Sequence, residues 1–170
     1  MATHRIIGYG SLLNKASAER TVVCCAEPRP IRVYGWRRVF NIICDEDKDL
    51  KTMDKAVLNV VPDKDAFFNG VLLEIDEDDL ERLKMRECEY TIVTVDVCCF
   101  RTNEKLGKAI LFVGKPDRLT YFIHPDPDYY QLCREGAASF GEDFLKEWDE
   151  TTFHACGKKV CELTALNVNS

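Results

Sequence analysis

The sequence predicts an α+β domain in which a curled, mainly antiparallel sheet packs against a few helices. Three observations support this fold class. Short apolar runs typical of strands recur along the chain up to Val113, polar turn residues separate them, and apolar residues return at helical spacing after Pro127. The 170 residues fit one domain of ordinary size, so we predict a single domain over residues 1–170.

The first half of the chain contains four predicted strands. They are residues 5–9, residues 31–43 with a bend near Gly35, and the apolar runs 56–61 and 69–75. Because the charged residues 63–65 separate the last two runs, a hairpin is the simplest connection between them. Gly10 and Ser11 end the first strand. A helical turn through residues 12–16 follows, with Ser11 as its predicted N-cap.

A helix is predicted after the fourth strand. Asp76 is its expected N-cap, because the acidic residues 77–79 behind it form a first turn that the helix dipole favours. The apolar spacing ends near Met85 or Arg86, so the helix should end there.

A hairpin and two further helices complete the prediction. Polar and apolar residues alternate over residues 91–97, which indicates a half-buried strand. Residues 102–105 form a turn, and residues 109–113 return as the partner strand. Two helices follow Pro127, and the tail after about residue 152 has no assignment.

Composition and charge exclude several classes of function. The formal net charge is −6 and Lys and Arg form no long basic run, so no nucleic-acid partner is expected. No window approaches the 18 or more apolar residues of a membrane helix, and the N-terminal apolar stretch is too short for a signal peptide. We therefore expect a soluble, cytoplasmic protein without a membrane partner.

The nine cysteines are odd in number and include no Cys-x-x-Cys spacing. Both facts argue against a disulfide framework, so we expect reduced thiols that mostly serve as small core residues. His124, His154, Cys156 and Cys161 are possible metal ligands, but their spacings match no structural zinc pattern, and we predict no metal. A Walker-type phosphate loop and a dinucleotide fingerprint are also missing from the sequence.

Two features of the sequence are suited to chemistry. The loop from Gly8 to Leu12 follows a strand and precedes a helical turn, where free amides can hold a carboxylate or an oxyanion. Taken alone, such a loop is more often an ordinary turn. Glu87 follows an acidic helix at the start of an apolar strand, where desolvation would raise its pKa toward the range for proton transfer. The alternative is a surface glutamate paired with Arg82 or Arg86.

Five segments resemble, in order, the signature of the γ-glutamyl cyclotransferase-like superfamily, which includes ChaC and AIG2-like proteins. They are Ile-Ile-Gly-Tyr-Gly-Ser-Leu at residues 6–12, Val-Tyr-Gly-Trp-Arg-Arg-Val-Phe at 33–40, Asn-Gly-Val-Leu-Leu-Glu-Ile at 69–75, Leu-Lys-Met-Arg-Glu-Cys-Glu-Tyr at 83–90, and Pro-Asp-Tyr followed by Gly-Ala within 127–137. The Tyr-Gly-Ser loop with a downstream Arg-Glu is the most specific part.

The resemblance implies a compact, mixed, barrel-like sheet with flanking helices, and a γ-glutamyl cyclotransferase activity. In this reaction the α-amine of a γ-glutamyl group attacks its own γ-carbonyl, which gives 5-oxoproline and a free amine or amino acid. Glu87 is implied as the acid–base residue, in a monomer or homodimer that needs no cofactor and no metal. The implied substrate-binding residues are Ile7, Gly8, Tyr9, Gly10, Ser11, Leu12 and Tyr129.

The sequence leaves the substrate open. Lys84 replaces the aspartate usual in the family, and Leu12 and Arg86 look more like the glutathione-directed ChaC type than like members acting on general γ-glutamyl amino acids. One alternative is a cyclotransferase for a specialised γ-glutamyl amine. Another is a non-catalytic binding or interaction module with the same fold. A third is a thiol-redox or metal-sensing protein, motivated by the cysteines.

Overall fold

Seven strands form a mixed sheet in the computed structural model, which describes residues 2–43, 54–120 and 124–163. The strands are β1 (Thr3–Gly8), β2 (Arg29–Ile42), β3 (Asp54–Asp76), β4 (Tyr90–Cys99), β5 (Lys105–Gly114), β6 (His124–Pro125) and β7 (Thr152–His154). The helices are α1 (Lys15–Glu19), α2 (Glu77–Arg86), α3 (Pro127–Ala138) and α4 (Glu142–Glu150), with 3₁₀ turns at Ser11–Leu13 and Pro116–Arg118.

Five of the strands close into a barrel. Neighbouring strands pair in the order β3, β1, β5, β4 and β2, and β2 pairs back with β3. The pairs β1–β3, β2–β3, β2–β4 and β4–β5 are antiparallel, and the pairs β1–β5, β2–β7 and β3–β6 are parallel. Each barrel strand contributes a side chain with no exposed surface to one core, namely Ile6, Ile31, Phe68, Val97 and Leu111. The predicted α+β fold with a barrel-like, mainly antiparallel sheet is confirmed.

The predicted hairpin at residues 63–65 is wrong. The two apolar runs that it was to connect belong to one continuous strand, β3, whose main partner is β2. The β2–β3 register shifts between Tyr34 and Trp36, so residues 63–65 lie at an irregularity opposite Gly35. Gly35 has a φ of +88°, which favours glycine, and the predicted bend there is confirmed. Turn-forming residues here mark a bulge rather than a chain reversal.

The helix caps agree with the sequence at one site and differ at another. Asp76 caps α2 as predicted, because its Oδ1 accepts a hydrogen bond from the Asp79 amide at 2.8 Å. The N-cap prediction for Ser11 is wrong. The 3₁₀ turn after Gly10 has no side-chain cap, and Asn14 caps α1 instead. Asn14 is the cap because it lies one position before the first full helical turn, where its side chain accepts a hydrogen bond from the Ser17 amide.

The unassigned tail begins with β7, which pairs in parallel with β2 and brings His154 next to β6. His124 Nδ1 and His154 Nε2 lie 3.1 Å apart. Since the Cys156 amide donates to His154 Nδ1 at 2.9 Å, the neutral His154 ring carries its proton on Nε2 and donates it to His124. Within the described ranges, no three His, Cys, Asp or Glu side chains are arranged to hold a metal ion.

The eight cysteines that the structure describes are free thiols, and Cys44 lies outside the described residues. Of these eight, Cys99 and Cys133 are buried, and the others are partly or fully exposed. The prediction that most cysteines are core residues is therefore wrong. In strand β4, for example, Cys98 and Cys99 alternate between the two faces, so adjacent cysteines cannot both enter the core. No helix in the described part of the chain is long and apolar enough to span a membrane.

Candidate active site

A pocket of about 340 Å³ lies where β1 ends, between the following loop, the C-terminal end of α2 and the start of α3. This volume is within the range of small-molecule sites. The residues singled out from the sequence that line it are Ile7, Tyr9, Gly10, Ser11, Leu12, Glu87 and Tyr129. Gly8 is not part of the lining. A Cβ at Gly8 would lie 2.9 Å from the Leu12 Cβ, so this glycine lets the strand and the loop pack together.

The loop after β1 offers backbone amides to the pocket. Among the described residues, the amides of Gly10, Ser11 and Leu12 have no hydrogen-bond acceptor. The carbonyls of the same loop are engaged, because Gly10 accepts from the Leu13 amide at 3.0 Å and Ser11 accepts from the Asn14 amide at 3.1 Å. The turn therefore closes through its carbonyls, and its amides remain available for a ligand.

Tyr9 fixes the beginning of this loop. Its hydroxyl donates to the Phe112 carbonyl at 2.7 Å, and its own carbonyl accepts from Trp148 Nε1 at 3.4 Å and Arg38 Nη1 at 3.3 Å. Burial and, secondarily, the Glu87 carboxylate raise the pKa of Tyr9 well above its ordinary value of 10. The phenol therefore stays protonated and acts as a donor at neutral pH.

Arg38 supports the loop from a buried position in β2, and its side chain has no exposed surface. Nε donates to Thr152 Oγ1 at 2.8 Å, and Nη2 donates to Asn69 Oδ1 and Thr151 Oγ1, both at 2.8 Å. Burial lowers the pKa of Arg38 to about 9, which still leaves the guanidinium charged at neutral pH. A buried cation surrounded by neutral acceptors thus ties β7 and the end of α4 to the Tyr9 carbonyl.

Glu87 lies at the C-terminal end of α2, and its side chain is 18% exposed. Burial raises the pKa of Glu87 above the ordinary 4.5, Arg86 lowers it, and the neighbouring Glu89 raises it. The predicted direction, with burial opposed by a nearby arginine, is confirmed. Arg82 does not take part, because it pairs with Asp79 instead.

Arg86 connects three parts of the site. Its Nη2 donates to Ser11 Oγ at 3.0 Å and to Ser17 Oγ at 2.9 Å, and its Nη1 donates to the Ser17 carbonyl at 2.8 Å and to Thr21 Oγ1 at 3.2 Å. Its Nε lies 3.6 Å from Glu87 Oε1. One guanidinium therefore holds the loop, helix α1 and the carboxyl group in a fixed arrangement.

Tyr129 enters the pocket from the first turn of α3. Asp126 caps this helix by accepting from the Tyr129 amide at 3.1 Å. A Cβ at Gly10 would lie 2.9 Å from the Tyr129 hydroxyl, so the glycine allows the phenol to approach the loop. At the other end of α3, a Cβ at Gly136 would lie 2.5 Å from the Asn14 amide nitrogen. Both glycines serve close approach of the helix and the loop.

Sequence reasoning did not assign a role to several lining residues, namely Ser17, Arg20, Glu89, Tyr90, Phe112 and Leu132. Arg86 and Arg38 were noticed as parts of matching segments but not as the groups that hold the loop. Arg86 could have been found because it directly precedes Glu87. Ser17 and Arg20 carry no such signal, because helix α1 reaches the pocket only through the packing of the whole domain.

The pocket therefore combines one partly buried carboxyl group of raised pKa, three available amides and two protonated phenols. Such a set can bind an anion through the amides and move a proton through the carboxyl group. The groups for both tasks line the same pocket.

Solved structures of γ-glutamyl cyclotransferases share this fold. One such enzyme matches with a TM-score of 0.66 at 13% identity over 86% of each chain. A human protein described as uncharacterized protein loc79017 matches with a TM-score of 0.68 at 13% identity over 87% of each chain. A yeast γ-glutamyl cyclotransferase specific to glutathione matches with a TM-score of 0.62 at 14% identity, over 89% of this chain and 96% of the yeast chain. No curated protein matches the sequence.

The chain thus has the fold of the γ-glutamyl cyclotransferases. The model of the ChaC-like protein family matches residues 4–142, which include the loop after β1, Glu87 and Tyr129. The chain therefore belongs to the ChaC-like family, and the resemblance to the superfamily is confirmed.

Proposed function

We propose that the protein is a γ-glutamyl cyclotransferase that converts a γ-glutamyl compound into 5-oxoproline and a free amine or amino acid. The observation that carries the proposal is the position of Glu87, whose partly buried carboxyl group lines the same pocket as the loop after β1. Family membership and the fold support the same activity.

In the proposed mechanism Glu87 serves first as a base. The substrate α-amine enters as an ammonium group, and the Glu87 carboxylate accepts one of its protons. The amine nitrogen then attacks the γ-carbonyl carbon, a C–N bond forms, and the carbonyl oxygen gains the negative charge. Because the attack is intramolecular, holding the γ-glutamyl chain bent supplies much of the rate.

The second half of the reaction uses the same carboxyl group as an acid. The loop amides stabilise the oxyanion, which then collapses and breaks the bond to the leaving nitrogen. Glu87 returns its proton to that nitrogen, then takes the second proton of the attacking nitrogen and passes it to the released amine. The products are therefore 5-oxoproline and an ammonium group, and the carboxylate of Glu87 is restored. No step requires a group beyond the protein and the substrate.

The two phenols take positioning roles in this proposal. Burial raises the pKa of Tyr129 well above 10, so its hydroxyl also remains protonated. The Tyr9 hydroxyl is committed to the Phe112 carbonyl. Tyr129 is therefore proposed to donate a hydrogen bond to the bound substrate beside Gly10.

The test is incubation of the full chain with glutathione, γ-glutamyl dipeptides and γ-glutamyl amines, followed by detection of 5-oxoproline. Release from at least one substrate is expected, and treatment with a metal chelator should leave the rate unchanged. If no substrate yields 5-oxoproline while γ-glutamyl ligands still bind, the protein is a binding module with this fold.

A further inference from the structure

Arg20 lies at the mouth of the pocket. It follows α1 directly, and its amide donates to the Ser17 carbonyl at 3.3 Å. Residues three apart on a helix share a face, and both Ser17 and Arg20 line the pocket. Ser17 is 5% exposed, whereas Arg20 is exposed. The guanidinium of Arg20 therefore stands between the interior of the pocket and solvent.

The two arginines of the pocket differ in their engagement. Both Nη atoms of Arg86 are occupied by Ser11, Ser17 and Thr21, and its charge faces Glu87. The Arg20 guanidinium has no hydrogen-bond or ion-pair partner among residues 2–43, 54–120 and 124–163. Its donors are therefore available to a ligand.

The remaining charges of the pocket oppose a second anion. Glu87 and Glu89 both line it. A ligand that carries a carboxylate beyond its γ-glutamyl group is repelled by these two side chains unless a cation offsets them. Since Arg86 is committed, Arg20 is the lining cation that can do so.

We infer that Arg20 selects γ-glutamyl compounds whose leaving amine carries a carboxylate, as in a γ-glutamyl amino acid or peptide, over compounds that release an uncharged or cationic amine. This inference rests on the proposed function. The loop amides hold the γ-glutamyl part near Glu87, and the leaving group extends toward the mouth. An arginine binds a carboxylate there through paired N–H donors.

The experiment compares two ligands of nearly equal size, γ-glutamylglycine and its C-terminal amide. Their dissociation constants are measured calorimetrically on the full-length Glu87→Gln protein, which prevents turnover. The same pair is measured after adding Arg20→Gln, Arg20→Lys or Lys15→Gln. Lys15 is a matched control, because it is an exposed cation of the same helix that pairs with Glu19 outside the pocket.

We expect the acid to bind about twofold to fivefold more tightly than the amide, the scale of an exposed charge pair. Arg20→Gln should abolish or reverse this preference, Arg20→Lys should retain part of it, and Lys15→Gln should leave it unchanged. The preference should also shrink at high salt.

Three outcomes overturn the inference. The first is that the preference for the acid survives Arg20→Gln in a folded protein. The second is that Arg20→Gln weakens both ligands equally, which assigns Arg20 to the γ-glutamyl carboxylate. The third is that neither ligand binds. Turnover by the unmodified chain tests the proposed function separately. Loss of the preference without loss of 5-oxoproline release rejects only the role of Arg20. A preference without any turnover rejects only the cyclotransferase activity.

Discussion

Arg86 donates a hydrogen bond from Nη2 to Ser11 Oγ at 3.0 Å across 75 residues of sequence. The same side chain lies 3.6 Å from the Glu87 carboxyl group through its Nε. The relative position of the loop after β1 and the Glu87 carboxyl group is therefore held by one rigid guanidinium. In the proposed mechanism this contact couples the position of the substrate to proton transfer.

Replacing Arg86 by glutamine should raise the pKa of Glu87 further, because the opposing positive charge is lost. The acid limb of the kcat/KM profile should then move to higher pH, by about one pH unit. Lys84→Gln removes the same charge from the exposed face of α2 and is the matched control. An acid limb that does not move in Arg86→Gln contradicts the assignment of that limb to Glu87.

Glu87→Gln should fold and bind substrate, but lose about 100-fold or more in turnover, the usual scale for a general acid–base group. Glu81→Gln, on the same helix and paired with Lys84 at the surface, should keep normal turnover. Near-normal 5-oxoproline release by Glu87→Gln would exclude Glu87 as the acid–base residue.

Stability provides a second test of Glu87. Because burial raises its folded pKa, the unfolded chain ionises first, and stability decreases as the pH rises through the window between the ordinary 4.5 and the raised value. The Gln variant lacks this loss. Denaturant titration at pH 4 and pH 7 measures the free energy of unfolding of both proteins. The difference between Glu87→Gln and the unmodified protein should be more favourable to the variant at pH 7 than at pH 4. An equal difference at both pH values would contradict a raised pKa.

Tyr129→Phe should weaken substrate binding by about threefold to tenfold, the scale of one hydrogen bond, and change stability little. KM and the unfolding midpoint measure the two effects. Tyr34→Phe, which removes an exposed hydroxyl that does not line the pocket, is a suitable control. Unchanged kinetics in Tyr129→Phe would show that the Tyr129 hydroxyl does not bind the substrate and that the ring only contributes to packing.

Gly10→Ala should crowd the Tyr129 hydroxyl, because the added Cβ would lie 2.9 Å from it. We expect a loss of about 1–3 kcal/mol in stability from this overpacking. Combining Gly10→Ala with Tyr129→Phe should restore part of the loss, since the oxygen that clashes is gone. If the stability losses of the two substitutions add strictly in a double-mutant cycle, the clash with the Tyr129 hydroxyl is not the cause of the loss in Gly10→Ala.

Arg38→Lys should cost about 3 kcal/mol or more, because lysine cannot replace the forked donors and leaves buried acceptors such as Thr151 and Asn69 unmatched. Chemical unfolding measures this cost. Arg101→Lys at an exposed position is the control and should change stability within about 0.5 kcal/mol. A mild effect of Arg38→Lys would mean that water can substitute for the guanidinium.

The features that follow from local rules could be predicted from the sequence. The Asp76 cap, the acidic first turn and the end of α2 at Arg86 depend on neighbouring residues only, and they place Glu87 at a helix end. Its partial burial could also be anticipated from the apolar strand that follows.

Features that depend on strand closure could not be predicted. A charged cluster such as residues 63–65 has the same composition in a hairpin and in a bulge, and only pairing with β2 distinguishes them. Arg20 lines the pocket only because α1 packs at this position against the barrel, and local sequence rules do not determine that packing. The role of Arg38 depends on β7, which lies in the segment without an assignment.

The pocket draws its lining from β1, α1, β3, α2, β4, β5 and α3, so no short segment of the chain contains it. Local unfolding of any of these elements therefore releases a bound ligand. Ligand binding accordingly raises the free energy of local unfolding of each element. At 100 times its dissociation constant, a ligand adds about 2.7 kcal/mol to the stability of the native state. Melting temperature alone can thus rank candidate γ-glutamyl compounds, including those that the protein binds but does not turn over.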